Sequence, residues 1–78
     1  YLRALAHHRR AREHSILNRV AAGDATIPDM VTKIYEGLDP RLTKAAGLSV
    51  LAHLEDLVAR EVVKANGPVS LEARYVMG

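Results

Sequence analysis

Histidine and carboxylate side chains are the groups in this sequence that could bind a metal ion or exchange protons. His7 and His14 lie seven residues apart, so a helix would place them two turns apart on one face, too far for one ion without a ligand between them. The sequence has no His-x-His motif, no His-Glu-x-x-His motif and no cysteine. The pattern therefore predicts no metal and no cofactor in these residues.

The remaining candidates form no catalytic pattern either. His53 falls beside an apolar position of a predicted helix, and we expect it to flank the core and hydrogen-bond a backbone carbonyl or an acid. No serine lies in a Gly-x-Ser-x-Gly context. Asp39 is best explained as a helix cap, and Glu55 and Asp56 are adjacent, so they diverge on a helix. We therefore predict no catalytic residue in the chain.

Positive charge is concentrated near the start of the sequence. Residues 1–19 hold five arginines against one glutamate, a net charge of +4, whereas residues 20–78 hold six bases against eight acids, a net charge of −2. A solvated helix face is the favoured interpretation. The functional alternative assigns contact with an anionic substrate or a nucleic acid to Arg9, Arg10 and Arg12. Glu13 is placed to pair with Arg9 along the helix, or to orient a neighbouring arginine.

The elements that would position these residues are three helices and a hairpin. Apolar periodicity predicts a first helix over 2–22, stopped by Gly23. Thr26 opens a second helix that Gly37 closes, with a very short strand over 25–27 before it. Asp39-Pro40 opens the third helix. The hairpin arms are 61–64 and 71–76, around the turn pair Asn66-Gly67.

The third helix carries apolar residues on two faces. Its predicted buried stripe is Leu42, Ala46, Val50, Leu54, Leu57 and Val58. Leu48 and Leu51 fall on the opposite side, where a free-standing domain would have polar residues. They either pack under the hairpin or dock on a second domain. In the second arm, alternation places Leu71, Ala73, Tyr75 and Met77 on one face.

The order of elements predicts a mainly α winged helix, with three helices and a wing. A winged helix suggests DNA binding, but the charges oppose it. Residues 43–60 and residues 61–78 each have two bases and two acids, a net charge of zero, where a DNA-binding surface needs an excess of Lys and Arg. The exposed side of the third helix also lacks the Arg, Asn and Gln that read base edges.

Three stretches in register resemble the winged-helix domain at the C-terminus of metallo-β-lactamase-fold hydrolases, including a mitochondrial β-lactamase-like endoribonuclease and hydroxyacylglutathione-hydrolase-like proteins. The stretches are His8-Arg9-Arg10-Ala11-Arg12-Glu13 with Ile16-Leu17, Ile34-Tyr35-Glu36-Gly37-Leu38, and Leu42 with Ala45-Ala46, Ser49-Val50 and His53-Leu54. One position departs from the pattern, because relatives commonly have Gly at the turn into the wing, where this chain has Glu61. This departure implies a wing that enters at a different angle, which counts further against contact of the wing with nucleic acid.

The resemblance also implies a non-catalytic accessory domain over 1–78, the C-terminal fragment of a longer cytoplasmic hydrolase. Such a domain packs on the catalytic domain of its own chain, helps shape the substrate cleft and, in nuclease relatives, helps hold RNA. Zinc is expected in the upstream domain, on a His-x-His-x-Asp-His motif that is absent here. The sequence leaves two alternatives open: a stand-alone winged-helix DNA-binding module, and a homodimerisation or protein-interaction module. It predicts no membrane span.

Overall fold

A computed structural model describes the backbone of residues 2–78 and the side chains of residues 9–78. The order of elements is α1 (Leu2–Ala21), α2 (Ile27–Ile34), a 3-10 helix (Pro40–Leu42), α3 (Thr43–Ala59), β1 (Val63–Ala65) and β2 (Tyr75–Met77). The two strands pair antiparallel, with Lys64 opposite Val76. The three helices and the hairpin match the predicted architecture. The prediction for His7 lies outside the described side chains.

Local signals act at the predicted residues, but Asp39-Pro40 opens a 3-10 helix and not α3, which begins at Thr43. Gly23 follows α1 with a φ of 100°, the left-handed region that glycine adopts without strain. Thr26 caps α2 by accepting a hydrogen bond at 3.4 Å from the backbone N–H of Asp29. Asp39 caps the 3-10 helix by accepting from the N–H of Arg41 at 2.9 Å. These caps satisfy N–H groups that have no partner within their own helices.

The predicted strand over 25–27 does not form. Thr26 has an extended backbone, with a φ of −115° and a ψ of 153°, but it is the cap of α2, and Ile27 is the first residue of that helix. Ala25 nevertheless accepts a backbone hydrogen bond of 2.7 Å from the N–H of Tyr75. This single bond ties the α1–α2 connection to the second strand of the hairpin.

The hairpin arms are shorter than predicted, and both are shifted toward the C-terminus. Glu61 and Val62 lie before β1, and residues 71–74 belong to the loop before β2. The loop is ordered by the Tyr75 hydroxyl, which donates to the carbonyl of Ser70 at 2.6 Å and accepts from its N–H at 3.2 Å. The last paired residues are Ala65 and Tyr75, and Pro68 in the loop between them supplies no N–H for a longer ladder.

A single core joins all the long elements. The predicted burial of the third helix holds at its centre, but Leu42 is exposed and Val58 is half-buried. Of the residues predicted to share one face of the second arm, Ala73 and Tyr75 are buried, whereas Met77 is exposed at the end of the ladder. The buried apolar residues are Ile16, Val20, Ile27, Met30, Val31, Ala46, Val50, Leu54, Leu57, Val63, Ala73 and Tyr75. None of the helices in the described part of the chain is long and apolar enough to cross a membrane.

Candidate anion-binding pocket

A pocket of about 430 Å³ lies where α1 meets the second half of α3. Its walls are formed by three residues of α1 and by three from the second half of α3 and its C-cap. Positions three, four or seven apart share a helix face, so each set lies on one side of its helix. The lining residues are Arg9, Arg10, Glu13, His53, Asp56 and Arg60. Three arginines and two acids leave this lining one positive charge in excess.

Arg60 forms the charged link between the two helices. It contacts Glu13 of α1, and its Nη2 and Nε lie 2.8 and 3.0 Å from Oδ2 of Asp56. The hydrogen bond to Glu13 is the main cause that raises the pKa of Arg60 above its usual value. The predicted pairing of Glu13 with Arg9 is therefore wrong, because the cap position of α3 brings Arg60 to Glu13 instead.

Arg9 and Arg10 are consequently left with their positive charges uncompensated. Both side chains are exposed, and no acid among residues 9–78 lies within ion-pair distance of either. An arginine presents five N–H donors in a planar fork that matches a carboxylate or phosphate. Two of the three arginines that the sequence assigns to anionic contact, Arg9 and Arg10, therefore line the pocket, and their contact with an anion stays a prediction.

Arg12 has a different environment from the other two predicted arginines. It is half-buried, and its guanidinium lies over the ring of Tyr35, 4.3 Å from the ring centroid. This cation–π contact packs α1 against the end of α2. The three arginines are thus not one cluster, and the predicted anion contact of Arg12 stays a prediction.

His53 contributes the one buried and unsatisfied side-chain atom among residues 9–78. Its Nδ1 lies 2.9 Å from the carbonyl oxygen of Ser49, one turn earlier, which confirms the predicted backbone hydrogen bond. A carbonyl oxygen can only accept, so Nδ1 carries the hydrogen and Nε2 presents a lone pair. Nε2 is buried and has no partner within residues 9–78. Sequence reasoning missed this atom, because the burial of a single side-chain atom depends on tertiary packing.

An apolar groove lies on the other side of α3. It has a volume of about 280 Å³ and is lined by Ile27, Pro28, Val31, Thr43, Lys44, Gly47, Leu71 and Glu72. Leu48 follows Gly47 directly and is 46% exposed. Leu51 is half-buried and packs on the core of the domain itself. The two predicted docking residues therefore differ, and Leu48 offers the larger free surface.

No group of three or more His, Asp or Glu side chains in the described part of the chain is placed to hold an ion. Asp39, one of the acids considered from the sequence, binds the guanidinium of Arg41 at 2.8 Å. That hydrogen bond lowers the pKa of Asp39, as expected for a cap whose charged form is stabilised.

Comparison with known proteins adds one finding. A family described as "Beta-lactamase associated winged helix domain" matches residues 26–69, more than half of the chain. The matched segment runs from the cap of α2 through α3 and β1 into the loop of the hairpin. No curated protein and no solved structure shows significant similarity to the chain.

Proposed function

The chain belongs to the family of winged-helix domains associated with β-lactamase-fold proteins, and from this membership we propose that it is a non-catalytic accessory domain. Its partner is a metallo-β-lactamase-fold catalytic domain of the same cytoplasmic hydrolase. The accessory domain docks on that partner and helps shape the cleft for an anionic substrate. The zinc of the hydrolase belongs to the partner, on a His-x-His-x-Asp-His motif that this chain does not contain.

The observation that carries the docking proposal is the apolar groove with Leu48 beside it. Lys44 and Gly47 line the groove from α3, and Leu48 lies one turn after Lys44. A leucine that is 46% exposed next to an apolar groove is a surface that a partner domain can cover. The family association supports a β-lactamase-fold domain as that partner.

The pocket between α1 and α3 supports the substrate-side part of the proposal. It lies on the flank of α3 that carries His53, Asp56 and Arg60, whereas the groove lies on the flank that carries Lys44 and Gly47. Docking through the groove therefore leaves Arg9 and Arg10 uncovered. In this arrangement the domain adds positive charge to the rim of the cleft, where it attracts an anionic substrate.

Substitution of Leu48→Ser in the full-length native protein tests the docking surface. Burial of the exposed part of a leucine contributes about 1 kcal/mol, so we expect interdomain association to weaken about fivefold. The measurement is the rate at which limited proteolysis releases the domain, with hydrogen exchange in α3 as a second readout. Val76→Ser is the matched control, because Val76 is also an exposed apolar residue but lies on β2.

The docking proposal is overturned if limited proteolysis releases the domain at the same rate from Leu48→Ser, from Val76→Ser and from the unmodified protein. The homodimer alternative predicts that the mass of the 78-residue chain rises with concentration. It also predicts that the Leu48→Ser variant keeps the mass of a monomer. Sedimentation at high concentration measures that mass. We expect one monomeric species, and a dimer that depends on Leu48 would replace the proposed partner by a second copy.

A further inference from the structure

Strand β1 lies at an open edge of the two-stranded sheet. Within the described residues β1 and β2 pair only with each other, with Lys64 opposite Val76. The outer edge of β2 is partly occupied, because the N–H of Tyr75 donates to the carbonyl of Ala25. No described residue makes a comparable backbone bond to the outer edge of β1. An unpaired strand edge is a template on which a further strand can form.

The register of the hairpin shows which backbone groups of β1 are used by β2. In an antiparallel pair, residues that exchange hydrogen bonds alternate with residues that do not. At the two ends of the ladder, the N–H of Asn66 donates to Arg74 at 2.8 Å and the N–H of Gly78 donates to Val62 at 2.9 Å. Residue 64 lies midway between 62 and 66, so the backbone groups of Lys64 also point toward β2.

The residues on either side of Lys64 therefore direct their backbone groups outward. Val63 and Ala65 offer two N–H donors and two carbonyl acceptors along the open edge, and none of the four bonds to another described backbone group. A groove of about 580 Å³ lies beside them, lined by Val58, Glu61, Val63, Lys64 and Ala65. Val58 is half-buried, so it offers apolar surface to a side chain of an added strand. The edge thus combines backbone hydrogen-bonding groups with a groove for alternate side chains, as strand-binding sites do.

Lys64 determines the charge of the segment that fits. Its side chain is exposed, and no acid among residues 9–78 lies within ion-pair distance of it. Side chains directly opposite each other in an antiparallel pair interact, so an acid opposite Lys64 is attracted and a base is repelled.

The same lysine disfavours pairing with a second copy of the chain. Two β1 strands related by a two-fold axis use all four outward groups only when Val63 pairs with Ala65 of the other copy. That register places the two copies of Lys64 directly opposite each other, at a position where the strands approach most closely. The open edge therefore suits a different segment, with an acid at its centre.

We propose that the outer edge of β1 binds an extended segment of a partner protein as an antiparallel third strand, with an acidic residue opposite Lys64 and apolar residues on either side of that acid. The two apolar residues pair through their backbones with Val63 and Ala65, and their side chains lie over Val58 in the groove. Glu61 lines the other end of the groove, so the segment carries no second acid there. The inference goes beyond the proposed function, because this groove shares no residue with the docking groove.

Titration of the 78-residue chain with the peptide acetyl-Thr-Val-Glu-Val-Thr-amide tests the site. Valine and threonine favour the extended backbone that the edge requires. We expect saturable binding with a Kd on the order of 1 mM, because only four backbone bonds and one ion pair form. The largest NMR shifts are expected at the amides of Val63 and Ala65. The same peptide with lysine in place of glutamate is expected to bind about fivefold more weakly.

Methylation of single peptide nitrogens separates strand pairing from other modes of binding. A methyl group on the nitrogen of either valine removes a donor that faces the carbonyl of Val63 or Ala65, so binding should weaken at least about tenfold. The matched control carries the methyl group on the nitrogen of the central glutamate. That N–H points away from β1 in the proposed register, so the Kd should change less than about twofold.

Substitutions in the chain test the same geometry from the other side. Ala65→Pro removes an outward N–H and no bond of the hairpin ladder, and proline is tolerated on an open edge, so we expect a folded protein with at least about tenfold weaker binding. Lys64→Glu should reverse the preference between the glutamate and lysine peptides. Lys44→Glu is its matched control, because it makes the same charge change at the docking groove and should leave the preference unchanged. Circular dichroism verifies that each variant is folded.

Any of four results would overturn the inference. They are no saturation up to about 10 mM peptide, equal affinity for the glutamate and lysine peptides, loss of binding on methylation of the glutamate nitrogen but not of the valine nitrogens, and a second copy on the edge. A second copy would appear as a mass that rises with concentration in the unmodified chain and stays monomeric in Ala65→Pro, measured by sedimentation. None of these measurements depends on Leu48, so the docking proposal can fail while the strand-binding edge stands.

Discussion

Glu61 has a left-handed backbone conformation, with a φ of 62°, between the end of α3 and β1. This conformation costs a non-glycine residue roughly 1–2 kcal/mol because its Cβ approaches the following carbonyl oxygen. Glu61→Gly removes that strain but adds backbone entropy to the unfolded chain. We therefore expect the free energy of unfolding to rise by about 0.5–1 kcal/mol, as measured by urea denaturation.

Glu61→Ala is the control for this prediction. Alanine retains the Cβ and removes the carboxylate, so the strain remains and the free energy of unfolding should stay close to that of the original chain. A gain as large as that of the glycine variant would mean that the carboxylate, and not the backbone, is the source of the cost. Glu61 thus adopts, at the entry to the wing, the backbone region that glycine adopts most easily.

Tyr75 stabilises the fold by an amount that decreases at alkaline pH. Burial is the main cause that raises the pKa of its phenol above the usual value of 10.0. The folded state thus retains a proton that the unfolded chain releases, and the contribution is complete below pH 10 and declines as the pH rises above it. Tyr75→Phe loses the two bonds to Ser70 and should cost about 1 kcal/mol near neutral pH.

The expected signature is a difference in unfolding free energy between the original chain and Tyr75→Phe that is constant below pH 9 and shrinks above pH 10. Guanidinium denaturation at a series of pH values measures it. All other titrating groups are shared, so they cancel in the difference. A difference that grows with alkaline pH would show that the phenolate is the form favoured by the fold.

Residues that act on their own chain neighbours were predictable from the sequence, and residues that act across the fold were not. The caps Thr26 and Asp39 bond to N–H groups two or three positions away, so residue type and spacing suffice. The pair of Glu13 and Arg60 joins positions 47 apart. Sequence periodicity favours the local alternative, Arg9, because it contains no information on which helix covers which.

At the scale of elements, α3 contains a substitution that should stabilise it. Gly47 lies within the helix without a positive φ, and an added Cβ would lie 3.7 Å from Ile27 Cγ2 and 3.9 Å from Leu71 Cδ2. These are ordinary van der Waals distances. Gly47→Ala should therefore raise the free energy of unfolding by about 1 kcal/mol through helix propensity and apolar contact.

Gly23→Ala is the opposite case and serves as the matched comparison. Nothing lies within 4 Å of an added Cβ there, but the φ of 100° strains any other residue. We expect it to lower the free energy of unfolding by about 1 kcal/mol. Thermal denaturation of both variants measures the contrast, and a Gly47→Ala protein that is less stable than the original would show that the groove cannot accept the methyl group.

The helices were easier to predict than the hairpin because their signals lie within the elements themselves. Apolar spacing and caps place α1, α2 and α3 to within a few residues. The ends of β1 and β2 depend on partners outside the strands, since Tyr75 bonds Ala25 through its backbone and Ser70 through its hydroxyl. Alternation therefore identifies the buried face of the second arm, with Ala73 and Tyr75, but not the residue at which pairing begins.

At the scale of the whole molecule, the arrangement of charge separates this domain from a winged helix that binds DNA. Several cations are already paired within the fold: Arg19 with Asp24, Arg41 with Asp39, and Arg60 with Glu13 and Asp56. The outer surface of α3 presents Leu48, and the uncompensated arginines described above lie on α1. The basic surface is thus on the helix that does not enter the groove of DNA in this architecture.

We therefore expect no saturable binding of a random 20-base-pair duplex below about 100 µM protein at 50 mM salt, measured by fluorescence anisotropy. A domain that neutralised six or more phosphates would bind more tightly and lose about a thousandfold in affinity between 50 and 200 mM salt. Lys64→Gln with Arg74→Gln removes the two bases of the wing region. Micromolar binding that depends steeply on salt and is lost in this double variant would establish the DNA-binding alternative.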